Sequence, residues 1–145
     1  DNPLKPIPRG SLLAGSVENT DISHLSFQSI GSVNELEEAL SEASNNGTPV
    51  MVDFTADWCV ACKEYERYTF PDTRVLAALD PFMLLQIDVT ENNDDDQSLL
   101  QYFSSFGPPT IAFFDRQGQE LEAYKLVGFV DAEEFSAHVL QVSSL

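Results

Sequence analysis

The chain has 145 residues, 43% of them hydrophobic, and a formal net charge of −17 at pH 7. This length and apolar content suit a single domain with its own core, and the acidity argues against binding to nucleic acid, whose phosphates would be repelled. No apolar run approaches the roughly 18 residues that a membrane helix needs, which predicts no direct membrane insertion of this chain.

Residues 1–25 contain three prolines, two glycines and no sustained periodicity. This composition predicts a flexible linker or tail ahead of a domain at 26–145. The chain begins Asp-Asn-Pro without an initiator Met, so we expect a processed or excised piece of a longer protein.

Strands and helices alternate after residue 26, as the spacing of the apolar residues indicates. Ser32 and Glu35 predict a capping box at the start of the first helix. The predicted elements are, in chain order, a strand near 26–30, a helix at 32–43, a strand at 48–54, a helix from about 59 to 70 with helical turns at 73–79, a strand at 82–89, a helix at 97–106, strands at 110–114 and 121–129 joined as a hairpin, and a helix at 132–142. This order predicts an α/β fold in which helices flank a mixed central β-sheet.

The two cysteines, Cys59 and Cys62, form a C-x-x-C motif where a predicted strand gives way to a helix. Such a motif is typical of a redox site or of half a metal site. A purely stabilising disulfide is the structural alternative, but so short a loop contributes only about 2 kcal/mol in the chain-entropy model. Zinc would need two more ligands, and His24 and His138 lack zinc-finger spacing, so we expect no metal.

The redox interpretation assigns a different role to each cysteine. Cys59 at the helix N-terminus directs its sulfur toward unpaired backbone N–H groups, which stabilise a thiolate. Cys62, one turn later, is placed to resolve the mixed disulfide. We therefore expect Cys59 to be an exposed nucleophile and Cys62 to be the shielded, resolving thiol.

Four carboxylates lie close to the cysteines in the sequence. Asp53 interrupts an apolar strand, so we expect it to be buried, either as a structural group bonded to the backbone or as a group acting on the thiols. Glu66 would share a helix face with Cys59 and Cys62, unless it is an ordinary solvated residue. Negative charge near the thiols raises their pKa values and biases the pair toward a reductant, and a carboxylate there could shuttle a proton.

Three segments resemble the thioredoxin family: VDFTADWCVACK its active site, GPPT its cis-proline loop, and LVGF its glycine loop. More narrowly, ADWCVACKEYERYTF, GPPTIAFFDRQGQE and GFVDAEEFSAH resemble, in that order, the C-terminal periplasmic domain of the DsbD family of bacterial thiol:disulfide interchange proteins. The resemblance extends from about Ser26 to Val142. It implies a thioredoxin-like fold, and Asp53 and Glu66 match acidic residues of these domains.

The resemblance implies an electron relay by dithiol–disulfide exchange that needs no cofactor. Such a domain takes electrons from the transmembrane domain of DsbD and passes them to its N-terminal periplasmic domain, toward disulfide isomerases and cytochrome c maturation. It implies a periplasmic location as a domain of an inner-membrane protein, and we expect a monomer. A free-standing thioredoxin-like reductase and a redox-inactive peptide-binding module are the alternatives.

The resemblance also implies a partner-binding groove beside the cysteines. Pro109 should follow a cis bond, and Pro108 should face the partner although it has no N–H to donate. Val60-Ala61 stands where ordinary thioredoxins have Gly-Pro, which argues against a general cytosolic thioredoxin. The groove residues are Trp58, Val60, Ala61, Pro108, Pro109, Val127, Gly128 and Phe129.

Overall fold

A computed structural model describes residues 25–145. The predicted linker at 1–25 therefore lies outside the described residues, as does His24, except that Leu25 packs against the core. The domain boundary at residue 26 stays a prediction. None of the helices within 25–145 combines the length and the apolarity that crossing a bilayer requires.

The strands form one five-stranded mixed sheet in the order β1-β3-β2-β4-β5. Central β2 is parallel to β3 and antiparallel to β4. The strands are β1 (Gln28–Ser29), β2 (Val50–Thr55), β3 (Met83–Asp88), β4 (Thr110–Phe114) and β5 (Leu126–Val127), and the helices are α1 (Val33–Asn45), α2 (Val60–Glu64), α3 (Thr73–Leu79), α4 (Asp94–Tyr102) and α5 (Ala132–Ser143). The predicted α/β fold with helices flanking a mixed sheet is confirmed.

The sheet separates two hydrophobic cores, and the side chains of β2 alternate between them. Val52 and Phe54 belong to the core that contains residues of α1 and α4. Met51 belongs to the other core, which contains residues of α3 and α5. Asp53 has the parity of Met51, so its carboxylate lies on the α3/α5 side of the sheet.

The predicted helix after Cys59 is not regular throughout. It is α-helical over Val60–Glu64 and widens into a π-helix over Tyr65–Thr69, where Phe70 N–H donates to the Tyr65 carbonyl at 2.8 Å. Single π turns of this kind are rare overall, but those that occur often lie at functional sites. Sequence periodicity assumes 3.6 residues per turn, so it did not predict this change.

Two helix starts differ in detail from prediction. The Ser32 hydroxyl accepts from Glu35 N–H, but the Glu35 carboxylate accepts from Gly31 N–H, one residue earlier than a capping box requires. α4 begins at Asp94 rather than at residue 97, because Asn93 and Asp96 form a complete capping box of their own.

The predicted strand at 121–129 is wrong for most of its length. After one bridge between Phe114 and Glu120 the chain enters a 3₁₀ turn at Glu122–Tyr124, and only Leu126–Val127 pairs with β4. The turn's backbone bonds, such as Lys125 N–H to the Glu122 carbonyl, replace those of the sheet.

Candidate active site around Cys59 and Cys62

Three of the predicted site segments lie at the same end of the sheet, where its strands begin or finish. β2 ends at Thr55, shortly before Cys59, and its neighbour β4 runs antiparallel and begins at Thr110, directly after Pro108-Pro109. Thr110 in turn pairs with Val127, the last residue of β5, so Gly128 and Phe129 follow at the same end of the sheet. The cysteine segment, the proline loop and the glycine loop are thus brought together by strand pairing.

Cys59 and Cys62 form a disulfide with their Cα atoms 5.3 Å apart. Cys59 is the N-cap residue of α2, and its sulfur accepts a hydrogen bond of 3.1 Å from Cys62 N–H. The expectation of an exposed Cys59 is wrong for this oxidised form, since Cys59 is 6% exposed and Cys62 is 4% exposed. The capping geometry turns the Cys59 sulfur toward the helix amides instead of toward solvent.

The surroundings of the two sulfurs differ in a way that separates their chemistry. The Cys59 sulfur faces an N–H donor, which favours the charged thiolate after reduction. The Cys62 sulfur lies 3.9 Å from the carbonyl oxygen of Phe54, an acceptor that favours the protonated thiol. This asymmetry agrees with Cys59 as the nucleophile and Cys62 as the resolving thiol.

Asp53 is buried, as expected, with only 4% of its surface exposed. The pKa of this carboxyl is raised to about 7, mainly by burial and to a smaller extent by the charge of Glu66, although a hydrogen bond from Gln86 lowers it. The hydrogen bond runs from Gln86 Nε2 to Asp53 Oδ2 at 3.0 Å. Asp53 is therefore bonded to a side-chain amide rather than to the backbone, and it can take up or release a proton near neutral pH.

Glu66 is exposed and lies in the π turn, where the regular α spacing that would align it with both cysteines has already ended. With Gln86, Phe27 and Phe70 it lines a cleft of about 210 Å³. Its charge acts on Asp53 across this region. The structure thus places Glu66 with Asp53 and Gln86 on one side of the sheet.

Apolar side chains are exposed on the segments that meet at the disulfide end of the sheet. Trp58, Val60, Val127 and Phe129 are exposed, whereas Ala61, Pro108, Pro109 and Gly128 are partly buried. The indole N–H of Trp58 donates to the Thr90 carbonyl at 3.1 Å, which fixes the ring at this edge. The predicted cis bond between Pro108 and Pro109 is confirmed.

Phe106 was not among the predicted groove residues, although it is an exposed aromatic residue next to the proline loop. Its side chain is fully exposed and directly precedes Gly107 and the two prolines. The predicted helix at 97–106 included Phe106, whereas the observed helix ends at Tyr102, so Phe106 has no helix face to bury it.

The other histidine considered for zinc, His138, lies on α5 and forms a hydrogen bond of 2.7 Å with the Tyr124 carbonyl. In the part of the chain that the structure describes, no three His, Cys, Asp or Glu side chains cluster as a metal site would require.

Comparison with known proteins identifies the family. Residues 32–116 match the family model described as thioredoxin-like. The oxidised C-terminal domain of Neisseria meningitidis DsbD superposes with a TM-score of 0.68 at 34% identity, over 79% of this chain and 99% of that one. The chain belongs to the family of DsbD C-terminal domains.

Full-length relatives agree with this assignment. The thiol:disulfide interchange protein DsbD of Salmonella choleraesuis is 54% identical over 117 residues, which are 81% of this chain and 20% of that protein. DsbD of Ralstonia nicotianae is 48% identical over 136 residues, 94% of this chain and 22% of that protein. The chain thus spans about a fifth of the length of these curated relatives.

The resemblance inferred from the motifs is therefore confirmed, together with the thioredoxin-like fold. A Thermus thermophilus thioredoxin, with a TM-score of 0.64 at 24% identity, shares the fold alone. The DsbD relatives, the fold and the C-x-x-C disulfide together support thiol-disulfide oxidoreductase activity.

Proposed function

We propose that this chain is a periplasmic domain of a DsbD protein and works as a reductant. It takes electrons from the transmembrane domain of that protein and passes them to its N-terminal periplasmic domain, which supplies disulfide isomerases and cytochrome c maturation. The observation that carries the proposal is the Cys59–Cys62 disulfide at the start of α2, within a chain of the DsbD C-terminal family.

The proposed reaction is dithiol–disulfide exchange in two steps. The Cys59 thiolate attacks one sulfur of the partner's disulfide, forming a mixed disulfide and releasing the partner's other sulfur as a thiolate. Cys62 then loses its proton and attacks the Cys59 sulfur, so that the partner leaves as a dithiol and this domain is left oxidised. Two electrons pass to the partner, and the exchange requires no metal or cofactor.

Asp53 is proposed to assist the second step as the proton acceptor for Cys62. Its strand neighbour Phe54 contributes the carbonyl that lies against the Cys62 sulfur, and its raised pKa suits proton exchange near pH 7. Asp53 and Glu66 also oppose a nearby thiolate and so favour the disulfide form, which makes the pair a better electron donor. Because Glu66 is exposed, water screens its charge. Asp53 therefore contributes the larger part of the charge effect on the thiolate.

The partner is proposed to dock on the apolar surface around the disulfide. This surface offers exposed apolar side chains without charge, namely Trp58, Val60, Phe106, Val127 and Phe129. The net charge of −17 would repel polyanions, so the partners are proteins and not nucleic acids.

Direct electron transfer tests the proposal. The domain is reduced, freed of reductant and mixed with the oxidised N-terminal periplasmic domain of a DsbD relative, and the thiols of both are then alkylated and weighed by mass spectrometry. We expect the partner to become reduced while Cys59 and Cys62 reoxidise. A Cys62→Ser variant should trap a mixed disulfide through Cys59, and Cys59→Ser is its matched control.

Offering insulin as a second substrate in the same assay separates the alternatives. Reduction of insulin disulfides without transfer to the N-terminal domain would favour a free-standing reductase. Reduction of neither substrate would contradict the proposal and favour a redox-inactive binding module.

A further inference from the structure

Two buried hydroxyl groups of the π turn donate hydrogen bonds to the backbone of the glycine loop. The Tyr65 hydroxyl donates to the Gly128 carbonyl at 2.7 Å, and the Thr69 hydroxyl donates to the Val130 carbonyl at 2.8 Å. Tyr65 is 1% exposed and Thr69 is fully buried, so water does not compete for either bond. We call residues 127–130 the docking loop, because Val127 and Phe129 are its exposed side chains.

A backbone hydrogen bond and a ring contact connect the docking loop to its neighbours. Gly128 N–H donates to the Pro109 carbonyl at 3.1 Å, and the Tyr65 ring packs 5.3 Å from the ring of Phe129. Tyr65 itself follows Cys62 by three residues in the same helical segment. The Tyr65 side chain thus links the cysteine helix to the docking loop, and the Gly128 backbone links that loop to the proline loop.

These contacts also engage polar backbone atoms that a partner could otherwise pair with, and no free N–H is left at Pro108 or Gly128. The carbonyls of Pro109, Gly128 and Val130 each accept an internal hydrogen bond. Pro108 has no N–H, and Gly128 N–H is bound to Pro109. Main-chain pairing with an extended peptide is therefore weakened along this side of the groove, and side-chain contacts decide recognition.

We propose that Tyr65 and Thr69 are positioning residues that fix the docking loop for an apolar protein partner. This inference rests on the proposed function and specifies how the groove recognises its partner. Strand pairing holds the docking loop at Val127, and the Gly128 N–H bond to Pro109 holds its next residue. Gly128 has a positive φ of 87° and ends the strand, so the segment from Gly128 to Val130 depends on the two hydroxyl bonds for the rest of its order. Without the two hydroxyls the loop must be ordered during docking, which weakens binding and leaves the disulfide chemistry unchanged.

The test compares Tyr65→Phe and Thr69→Val with a matched control. Tyr68→Phe makes the same chemical change in the same π turn at an exposed side chain. Thr69→Ser keeps the hydroxyl and should restore the behaviour of the parent. KM and kcat for electron transfer to the N-terminal periplasmic domain, the reduction potential, and hydrogen exchange of residues 126–130 are measured for each variant.

We expect Tyr65→Phe to raise KM about fivefold, as one lost hydrogen bond would, and to speed amide exchange in the docking loop. The kcat, the reduction potential and the behaviour of Tyr68→Phe should match the parent. If Tyr65→Phe and Tyr68→Phe show the same KM or the same exchange, the proposal is overturned, and a shifted potential would overturn it too. A parent domain that transfers no electrons defeats the proposed function instead, and the exchange measurement then still decides whether the hydroxyls order the loop.

Discussion

Asp53 and Gln86 lie opposite each other in the parallel register of β2 and β3, joined by a hydrogen bond of 3.0 Å from the amide to the carboxylate. The partner of this buried carboxylate is thus a neutral amide. Because the amide carries no charge, it offsets only part of the cost of burying a negative charge, and the pKa of Asp53 rises to about 7. Asp53 therefore exists in both its protonated and its ionised form at neutral pH.

The first prediction concerns the stability of the oxidised domain. The pKa of Asp53 is about 7 in the folded state against an ordinary 3.8, so the folded state binds the extra proton between these values. The free energy of unfolding should consequently fall as the pH rises from about 4 to about 7, by at most about 4 kcal/mol from this group. Urea unfolding of the parent and of Asp53→Asn across this range measures the difference.

Asp53→Asn removes the titration and keeps an oxygen that can accept from Gln86. Its stability should depend less on pH than that of the parent, and it should be the more stable protein at pH 8. Asp57→Asn, at an exposed position, is the matched control. Equal pH dependence in the parent and in Asp53→Asn would show that Asp53 titrates normally.

The second prediction concerns the reactivity of the reduced protein. Asp53→Asn should lower the pKa of Cys59, because a negative charge that opposes the thiolate has been removed. Glu66→Gln should act in the same direction but more weakly, because its side chain is exposed. Thiolate absorbance against pH measures both, with Glu64→Gln as the exposed control. An unchanged or higher pKa in both variants would remove the carboxylates from the mechanism.

The third prediction concerns which cysteine reacts first. Limiting iodoacetamide should alkylate Cys59 of the reduced protein before Cys62, since the Cys59 sulfur faces a backbone donor and the Cys62 sulfur a backbone acceptor. Peptide mass spectrometry assigns the label. Preferential labelling of Cys62 would reverse the two roles.

The fourth prediction concerns Pro108. In thioredoxins the residue before the cis-proline pairs its backbone with the partner, and Pro108 can offer a carbonyl there but no N–H. Pro108→Ile restores a donor worth about 1 kcal/mol, so it should bind a trapped partner at least as tightly as the parent. The glutathione concentration that releases half of the partner from the Cys62→Ser mixed disulfide, with and without Pro108→Ile, measures this. Clearly weaker binding by a folded Pro108→Ile variant would contradict it.

Most of the fold was predictable because its signals are local. Buried strands such as Val50–Thr55 appear as apolar runs, and the final helix Ala132–Ser143 begins with Asp131, whose side chain accepts from Glu134 N–H. The strand predicted at 121–129 failed because alternating residues cannot show that a 3₁₀ turn at Glu122–Tyr124 satisfies the backbone instead.

The sequence indicated which segments meet at the candidate site but not their geometry. The C-x-x-C motif and the family motifs indicated which segments meet, whereas the π turn at Tyr65–Thr69 left no mark in the sequence. Gln86 was missed because a single amide in a strand has no pattern, and its contact with Asp53 follows from strand register alone. Burial of Cys59 also depends on the three-dimensional direction of one capping side chain.

The central claim is that the Cys59–Cys62 pair is a reductant, and its equilibrium reduction potential against glutathione tests this most directly. We expect a potential in the reducing range of thioredoxin, about −270 mV and clearly below the roughly −180 mV of protein disulfide isomerase. Asp53→Asn should move the potential upward, since the thiolate that Asp53 opposes is then easier to form. A potential of about −120 mV, as in strongly oxidising relatives of the fold, would show that the Cys59–Cys62 pair is not a reductant.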